Sequence, residues 1–134
     1  MFKIRPNQAD VLAEDDLIRR IEAWLRTRHP AQVAAIAPED LRAMIVHCFG
    51  IARSYGFQTE RALFTFVIDM LAVGPCFHLQ PKIQAILADA GAGEEDRLDR
   101  IVDDVDDASW DEAGEITDKV AYWDDVLAQA RGTG

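Results

Sequence analysis

His47, Cys48, Cys76 and His78 are the side chains in this sequence best suited to ligand or nucleophile chemistry. Four such groups are enough for a tetrahedral zinc site. Their spacing argues against one. His47 and Cys48 are neighbours on a predicted helix and project about 100° apart, which suits one ion poorly. No CxxC or HxxxH phrase occurs. Cys48 therefore reads as a small core residue. Cys76 and His78 have the makings of a nucleophile–base pair in a loop. No orienting third group or oxyanion donor accompanies them. The acidic run from Asp103 to Glu115 invites a calcium-loop test. Started at Asp104, it places Asp104, Asp106 and Glu115 at the first, third and last ligand positions. Ala108 and Ser109 then occupy a ligand position and the required glycine, and Asp111 a normally apolar one, so the loop fails. One further carboxylate, Asp69, lies between Ile68 and Met70 in an apolar stretch. It is expected to face solvent or to pair with Arg61 or Arg53. No glycine-rich phosphate loop is present. Neither an enzyme nor a resident cofactor or metal is expected.

These side chains need elements to hold them, and the pattern predicts helices throughout. The chain has 134 residues, of which 49% are apolar. That supports one domain with a real core. Residues 1–8 read as an extended arm, with Phe2 and Ile4 alternating with Lys3 and Arg5, and with Pro6 halting any helix. A first helix is expected over Asp10–Arg28, with Leu17, Ile21, Trp24 and Leu25 on one stripe. Asp16–Arg20 and Glu22–Arg26 are expected as i,i+4 pairs. A turn or two of helix is expected over Ala31–Ile36. The next helix, Pro38–Tyr55, buries Leu41, Met44, Ile45, Cys48, Phe49 and Ala52. Gly50 is expected to admit a close helix neighbour, and Gly56 to end the helix in the left-handed conformation.

Thr59 caps a further helix over Glu60–Val73, which Gly74-Pro75 stops. The short turn makes these two helices an antiparallel hairpin at the centre of the fold. Helices over Pro81–Ala90, Glu94–Asp106 and Glu115–Ala130 follow. Their inward residues are Ile83, Ile86 and Leu87; Leu98, Ile101, Val102 and Val105; and Ile116, Val120, Trp123 and Leu127. Residues 107–114 carry no clear pattern, and residues 131–134 read as a frayed tail. The predicted fold is all-α: a single helical domain, 9–130, of five or six helices around the central hairpin.

Charge divides the chain sharply. Residues 1–93 hold ten acidic and ten basic residues, while residues 94–134 hold fourteen acidic and four basic, which supplies the whole net charge of −10. Such a surface repels nucleic-acid phosphates and anionic lipid and attracts a basic protein. No apolar run is long enough to span a bilayer. The opening MFKIRPNQ lacks the apolar core of a signal peptide. Two cysteines are too few for a disulfide scaffold. A cytoplasmic location is expected.

A family resemblance adds to this. Trp24-Leu25-Arg26 leads to His29-Pro30, and Gly50-Ile51-Ala52-Arg53-Ser54-Tyr55-Gly56-Phe57 closes the following helix. Thr59-Glu60-Arg61 then opens a helix that ends in Met70-Leu71-Ala72-Val73-Gly74. A Phe77-to-Pro81 segment precedes Ile86-Leu87. Over roughly Leu17–Arg97 this pattern resembles small helical accessory proteins encoded near bacterial type VI secretion effector genes. It departs from them at His78, where an acidic loop is usual, and it does not cover the acidic C-terminal segment. The resemblance implies a non-enzymatic adaptor, chaperone or immunity protein whose partner is a secreted effector or a secretion-spike component. It supplies no site residues. The charge pattern points to Asp103, Asp104, Asp106, Asp107, Asp111 and Glu112 as the partner-binding surface, with Trp110 as its aromatic anchor. The competing role for Trp110 is core packing. The competing function is a small regulator that holds a metal or metabolite between helices.

Overall fold

The computed structural model describes residues 6–132, and side chains from Ala13 onward. Every regular element among them is helical: α1 (Pro6–Arg28), α2 (Pro30–Val33), α3 (Pro38–Ser54), α4 (Glu60–Ala72), α5 (Pro81–Leu87), α6 (Glu94–Asp103), α7 (Asp107–Glu115) and α8 (Lys119–Gly132). A single 3-10 turn, Phe77–Leu79, precedes α5. The all-α expectation holds, with more helices than the five or six expected. The addition is α7, where the apolar pattern is too sparse to register, while the one-turn α2 falls where a turn or two of helix is expected. The arm expected at residues 1–8 needs correction. Pro6 opens α1 instead of halting it, because the first turn leaves its N–H positions unpaired in any case. Residues 1–5 lie outside the described residues. At the other end, Arg131 and Gly132 belong to α8 and not to a frayed tail.

Two compact units divide the chain, Met1–Arg42 and Ala43–Gly134, with the boundary inside α3. In the first, Leu17, Ile18, Ile21 and Leu25 of α1 are buried, as are Val33 and Leu41. The Arg26 guanidinium donates to the carbonyls of Val33 (3.3 Å) and Ile36 (3.1 Å), so it satisfies the open end of α2. Arg20 reaches Asp16 at 2.9 Å and Arg26 reaches Glu22 at 3.9 Å, the two pairs expected from i,i+4 spacing. Arg42 pairs with Asp15. All these side chains are at least partly exposed, so each pair contributes only a few tenths of a kcal/mol, ~0.2–1.

The second unit begins with the end of α3. Gly56 has φ 84°, the left-handed conformation that glycine adopts without penalty. Phe57 N–H donates to Ala52 O (3.2 Å) and Gly56 N–H to Arg53 O (2.9 Å), a Schellman cap. This turns the chain and buries Phe57. Thr59 then caps α4 by accepting from Ala62 N at 3.2 Å. From Phe57 a row of rings crosses the core: Phe57–Phe66 at 5.4 Å, Phe66–Phe77 at 5.5 Å, and Phe77–Trp110 stacked at 6.1 Å and 13°. Phe77 is fully buried because the 3-10 turn aims it inward. Gln80 ends that turn, and its Oε1 accepts from Lys82 N (2.8 Å) and Ile83 N (3.0 Å) to cap α5.

Two expectations about α6 fail together. The helix stops at Asp103, and Val102 is 70% exposed instead of inward. The inward place belongs to Arg97. Its Nη1 donates to Tyr55 O (2.9 Å) and Leu87 O (2.8 Å), and its guanidinium lies 4.1 Å from the Phe57 ring centre. The last helix departs further. None of the α8 side chains is fully buried, and Val120, expected inward, is 71% exposed.

Glycines separate two kinds of position. A Cβ at Gly50 would meet nothing within 4 Å, so the expected close helix approach is absent there. At Gly114 a Cβ would stand 2.9 Å from Val73 O, and at Gly74 one would stand 3.2 Å from Gly114 Cα. The end of α4 and the body of α7 touch backbone to backbone. Alanine substitutions are therefore expected to have opposite signs. Gly50→Ala gains up to about 1 kcal/mol from helix propensity. Gly114→Ala loses about 1–3 kcal/mol, since backbone must shift to admit the methyl. Urea denaturation of the two variants checks this, and a stabilised Gly114→Ala would contradict the close contact.

Candidate functional site

The residues expected to bind a partner fall on α6, α7 and the link between them, and the structure divides them into two classes. Asp106 is committed locally. It accepts from Ser109 Oγ (2.6 Å) and Lys82 Nζ (3.0 Å), and the Ser109 hydroxyl first and the lysine second hold its carboxyl at about 2. Asp104 lies 3.9 Å from Arg100, which also contacts Asp89 (3.1 Å) and Asp96 (3.7 Å). Glu95 and Asp99 share Arg61. Asp103, Asp107, Asp111 and Glu112 are exposed and have no ion pair among the described residues, and the same is true of Glu115, Asp124 and Asp125.

Asp107, Asp111 and Glu115 follow one another at i, i+4 and i+8 along one line of α7. Like charges at that spacing destabilise a helix by a few tenths of a kcal/mol per pair, ~0.2–0.5. Nothing on the helix relieves them, for α7 has no basic residue. This stripe is a row of like charges that no basic side chain among the described residues compensates.

Trp110 sits at the centre of α7 but is no freely exposed anchor. Its indole stacks on Phe77, and its Nε1–H donates to Ile101 O at 3.2 Å. It remains partly exposed and, with Ala72, Val73, Asp111 and Gly114, lines an open cleft of about 380 Å³. Trp110 thus has a core role and a surface role at once. Glycine at 114 lets α7 approach the Val73 carbonyl, which already occupies the space of a side chain.

In a second polar cluster, His47 and His78 pair with tyrosines that no sequence spacing marks. His47 Nε2 lies 2.5 Å from Tyr122 Oη, and the His47 ring meets Trp123 edge-on at 6.0 Å. Tyr55 Oη lies 2.9 Å from His78 Nδ1. Burial pushes the Tyr122 hydroxyl up to about 12, with the two thiols of Cys76 and Cys48 adding to the effect. Burial likewise lowers both imidazoles, and His47 adds to the lowering at His78. Both thiols are raised by burial. A thiol held protonated by burial is a weak nucleophile. No group of three or more His, Cys, Asp or Glu placed to hold a metal occurs among the described residues. The His47–Tyr122 contact spans 75 residues, so no local spacing records it.

Asp69 departs from its expected pairing. Arg61 is occupied by Glu95 and Asp99, and the Asp69 carboxylate has no side-chain partner among the described residues. Burial alone pushes its carboxyl up to about 7. No described helix is long and apolar enough to cross a membrane. No family model, no curated protein and no solved structure matches the chain.

Proposed function

We propose that the protein is a non-enzymatic binding module that docks a basic protein partner on the exposed acidic face of α6 and α7, with the α3–α4 hairpin as its frame. The carrying observation is the stripe Asp107–Asp111–Glu115, with Asp103 and Glu112 beside it, exposed and without ion pairs among the described residues. A fold gains nothing from i,i+4 repulsion, whereas a basic partner would relieve it and be steered to it. Exposed apolar residues, among them Ile116 and Val120 just beyond α7, supply the desolvated part of such an interface. Taken with the resemblance to type VI effector-associated proteins, the proposed partner is a secreted effector or a secretion-spike component. The module's role is then that of an adaptor, chaperone or immunity protein.

The test begins with capture of a stoichiometric partner and reconstitution from purified components. Charge reversal at Asp103, Asp107, Glu112 and Glu115 is expected to weaken the complex at least about tenfold, about 1.4 kcal/mol, chiefly through slower association. The loss should shrink as salt rises. Unchanged association at low salt in the reversed variant would remove this face as the docking surface.

A further inference from the structure

The geometry points to the cleft beside Trp110 as a receptor for one arginine side chain of a protein partner. This rests on the binding-module reading and specifies its chemistry. The cleft has an aromatic wall, Trp110, and one charged lining residue, Asp111. Its other walls, Ala72, Val73 and Gly114, are small or branched apolar residues without hydrogen-bonding side chains. An indole next to a carboxylate is complementary to a planar cation. The ring attracts it through its quadrupole, and the carboxylate accepts its N–H groups. Lys82 is engaged with Asp106 and Arg100 with Asp89, Asp96 and Asp104, and neither pairs with Asp111. Asp107 and Glu115, one turn to either side on α7, raise the local negative potential further.

The receptor is also built rigidly. Stacking on Phe77 and the bond from Nε1 to Ile101 O fix the indole before anything binds. Little side-chain freedom remains to be lost on binding, which favours affinity. The backbone contact between Gly114 and Val73 O fixes the floor. Arginine fits better than lysine because its guanidinium is flat, stacks on an indole and can bond a carboxylate through two N–H groups, while an ammonium is a compact, strongly hydrated charge.

The experiment uses the full chain and a capped pentapeptide with one arginine flanked by glycines. Matched peptides replace the arginine with citrulline, its neutral isostere, or with lysine. Binding is read from the indole N–H signals of Trp24, Trp110 and Trp123 in nitrogen-15 NMR. The arginine peptide is expected to shift the Trp110 signal saturably, with the lysine peptide several-fold weaker and the citrulline peptide without effect. Asp111→Asn should weaken the arginine peptide about tenfold, and the double variant Asp124→Asn/Asp125→Asn should leave it unchanged. Asp111 is exposed, so the substitution leaves the fold intact. Equal losses in the two variants would show diffuse attraction and overturn the assignment. An unmoved Trp110 signal, or a citrulline peptide that binds as well, would overturn it too. The two readings fail separately. If Asp111→Asn leaves a reconstituted partner complex intact while reversal of Asp107 and Glu115 breaks it, the cleft is excluded and the docking face stands.

Discussion

Replacing Arg97 with alanine is expected to destabilise the protein by about 3 kcal/mol, the largest single-residue loss at any polar position described above. The guanidinium is buried and donates to two carbonyls, Tyr55 O and Leu87 O, at the C-terminal ends of α3 and α5. Without it, two helix-end acceptors are left in a dry site, at about 1–3 kcal/mol each. The face of Phe57 also loses its cation, about 1–2 kcal/mol when desolvated. One opposing effect exists. Arg97 Nε is buried without a partner, and removing it relieves a penalty comparable to one lost acceptor. Two carbonyls and a ring outweigh one N–H. The neighbouring variants separate these contributions. Arg97→Met keeps much of the stem on Phe57 and is expected to lose about half as much as alanine. Arg97→Lys reaches one carbonyl at best and should lie nearer alanine than wild type. Urea denaturation midpoints and slopes give all three values. A methionine variant as stable as wild type would mean that desolvating the cation costs as much as its bonds return.

The second large effect depends on pH. Asp69→Asn is expected to stabilise the protein by about 2 kcal/mol at pH 8 and to change little at pH 4. In the unfolded chain an aspartate loses its proton near pH 3.9, whereas burial holds Asp69 protonated in the fold up to about 7. Between those values the folded state binds the extra proton, so stability falls as pH rises through this window and is level above it. A shift of three units corresponds to about 4 kcal/mol at most. Asp69 is only partly buried, which reduces the expected value to about half. Asparagine has the same shape and no charge, so it removes the pH-dependent penalty. The difference between variant and wild type, taken at each pH, cancels the titration of every other carboxylate. If Asp69→Asn is no more stable than wild type at pH 8, the carboxylate is solvated or paired after all.

The fold was readable wherever a strong local signal existed. The stripe Leu17, Ile21, Leu25 located α1; Gly56 with Phe57 located the end of α3; Thr59 and Gly74-Pro75 bracketed α4. Each is a short-range property of the chain, in which a period of 3.6, a cap or a stop acts over a few residues. The errors arose where neighbours decided the outcome. Val102 and Arg97 compete for the inward side of α6, and by hydrophobicity the valine wins. Arginine takes the position because two helix-end carbonyls, 42 and 10 residues away, await a donor there. The α8 stripe has the right period but does not become buried, which periodicity cannot foresee. For the candidate surface, the acidic excess was legible, but its division was not. Asp104 and Asp106 look the same as Asp107 and Asp111 in sequence. Arg100 and Lys82, approaching from α6 and α5, neutralise the first pair and leave the second uncompensated. Ala72, Val73 and Gly114 carry no mark of a cleft until α4 and α7 are in contact.

Helix α6 bears on the order in which this chain acquires structure. Glu94, in its first turn, accepts from Gln58 N (2.7 Å) and Thr59 N (3.1 Å) at the start of α4, and Arg97, one turn on, closes the ends of α3 and α5. A single short helix therefore compensates helix ends of both polarities, across 35 and 36 residues in the first case and 42 and 10 in the second. Closing loops of that length costs chain entropy before any contact repays it. The turn between α3 and α4, despite its strong local signals, is thus not an autonomous nucleus. On a ribosome, where domains consolidate as units, residues up to Gly93 would emerge with the donors at 58 and 59 and the acceptors at 55 and 87 still open. The second unit would lock only once α6 had followed, making its folding a late and concerted event rather than a progressive one.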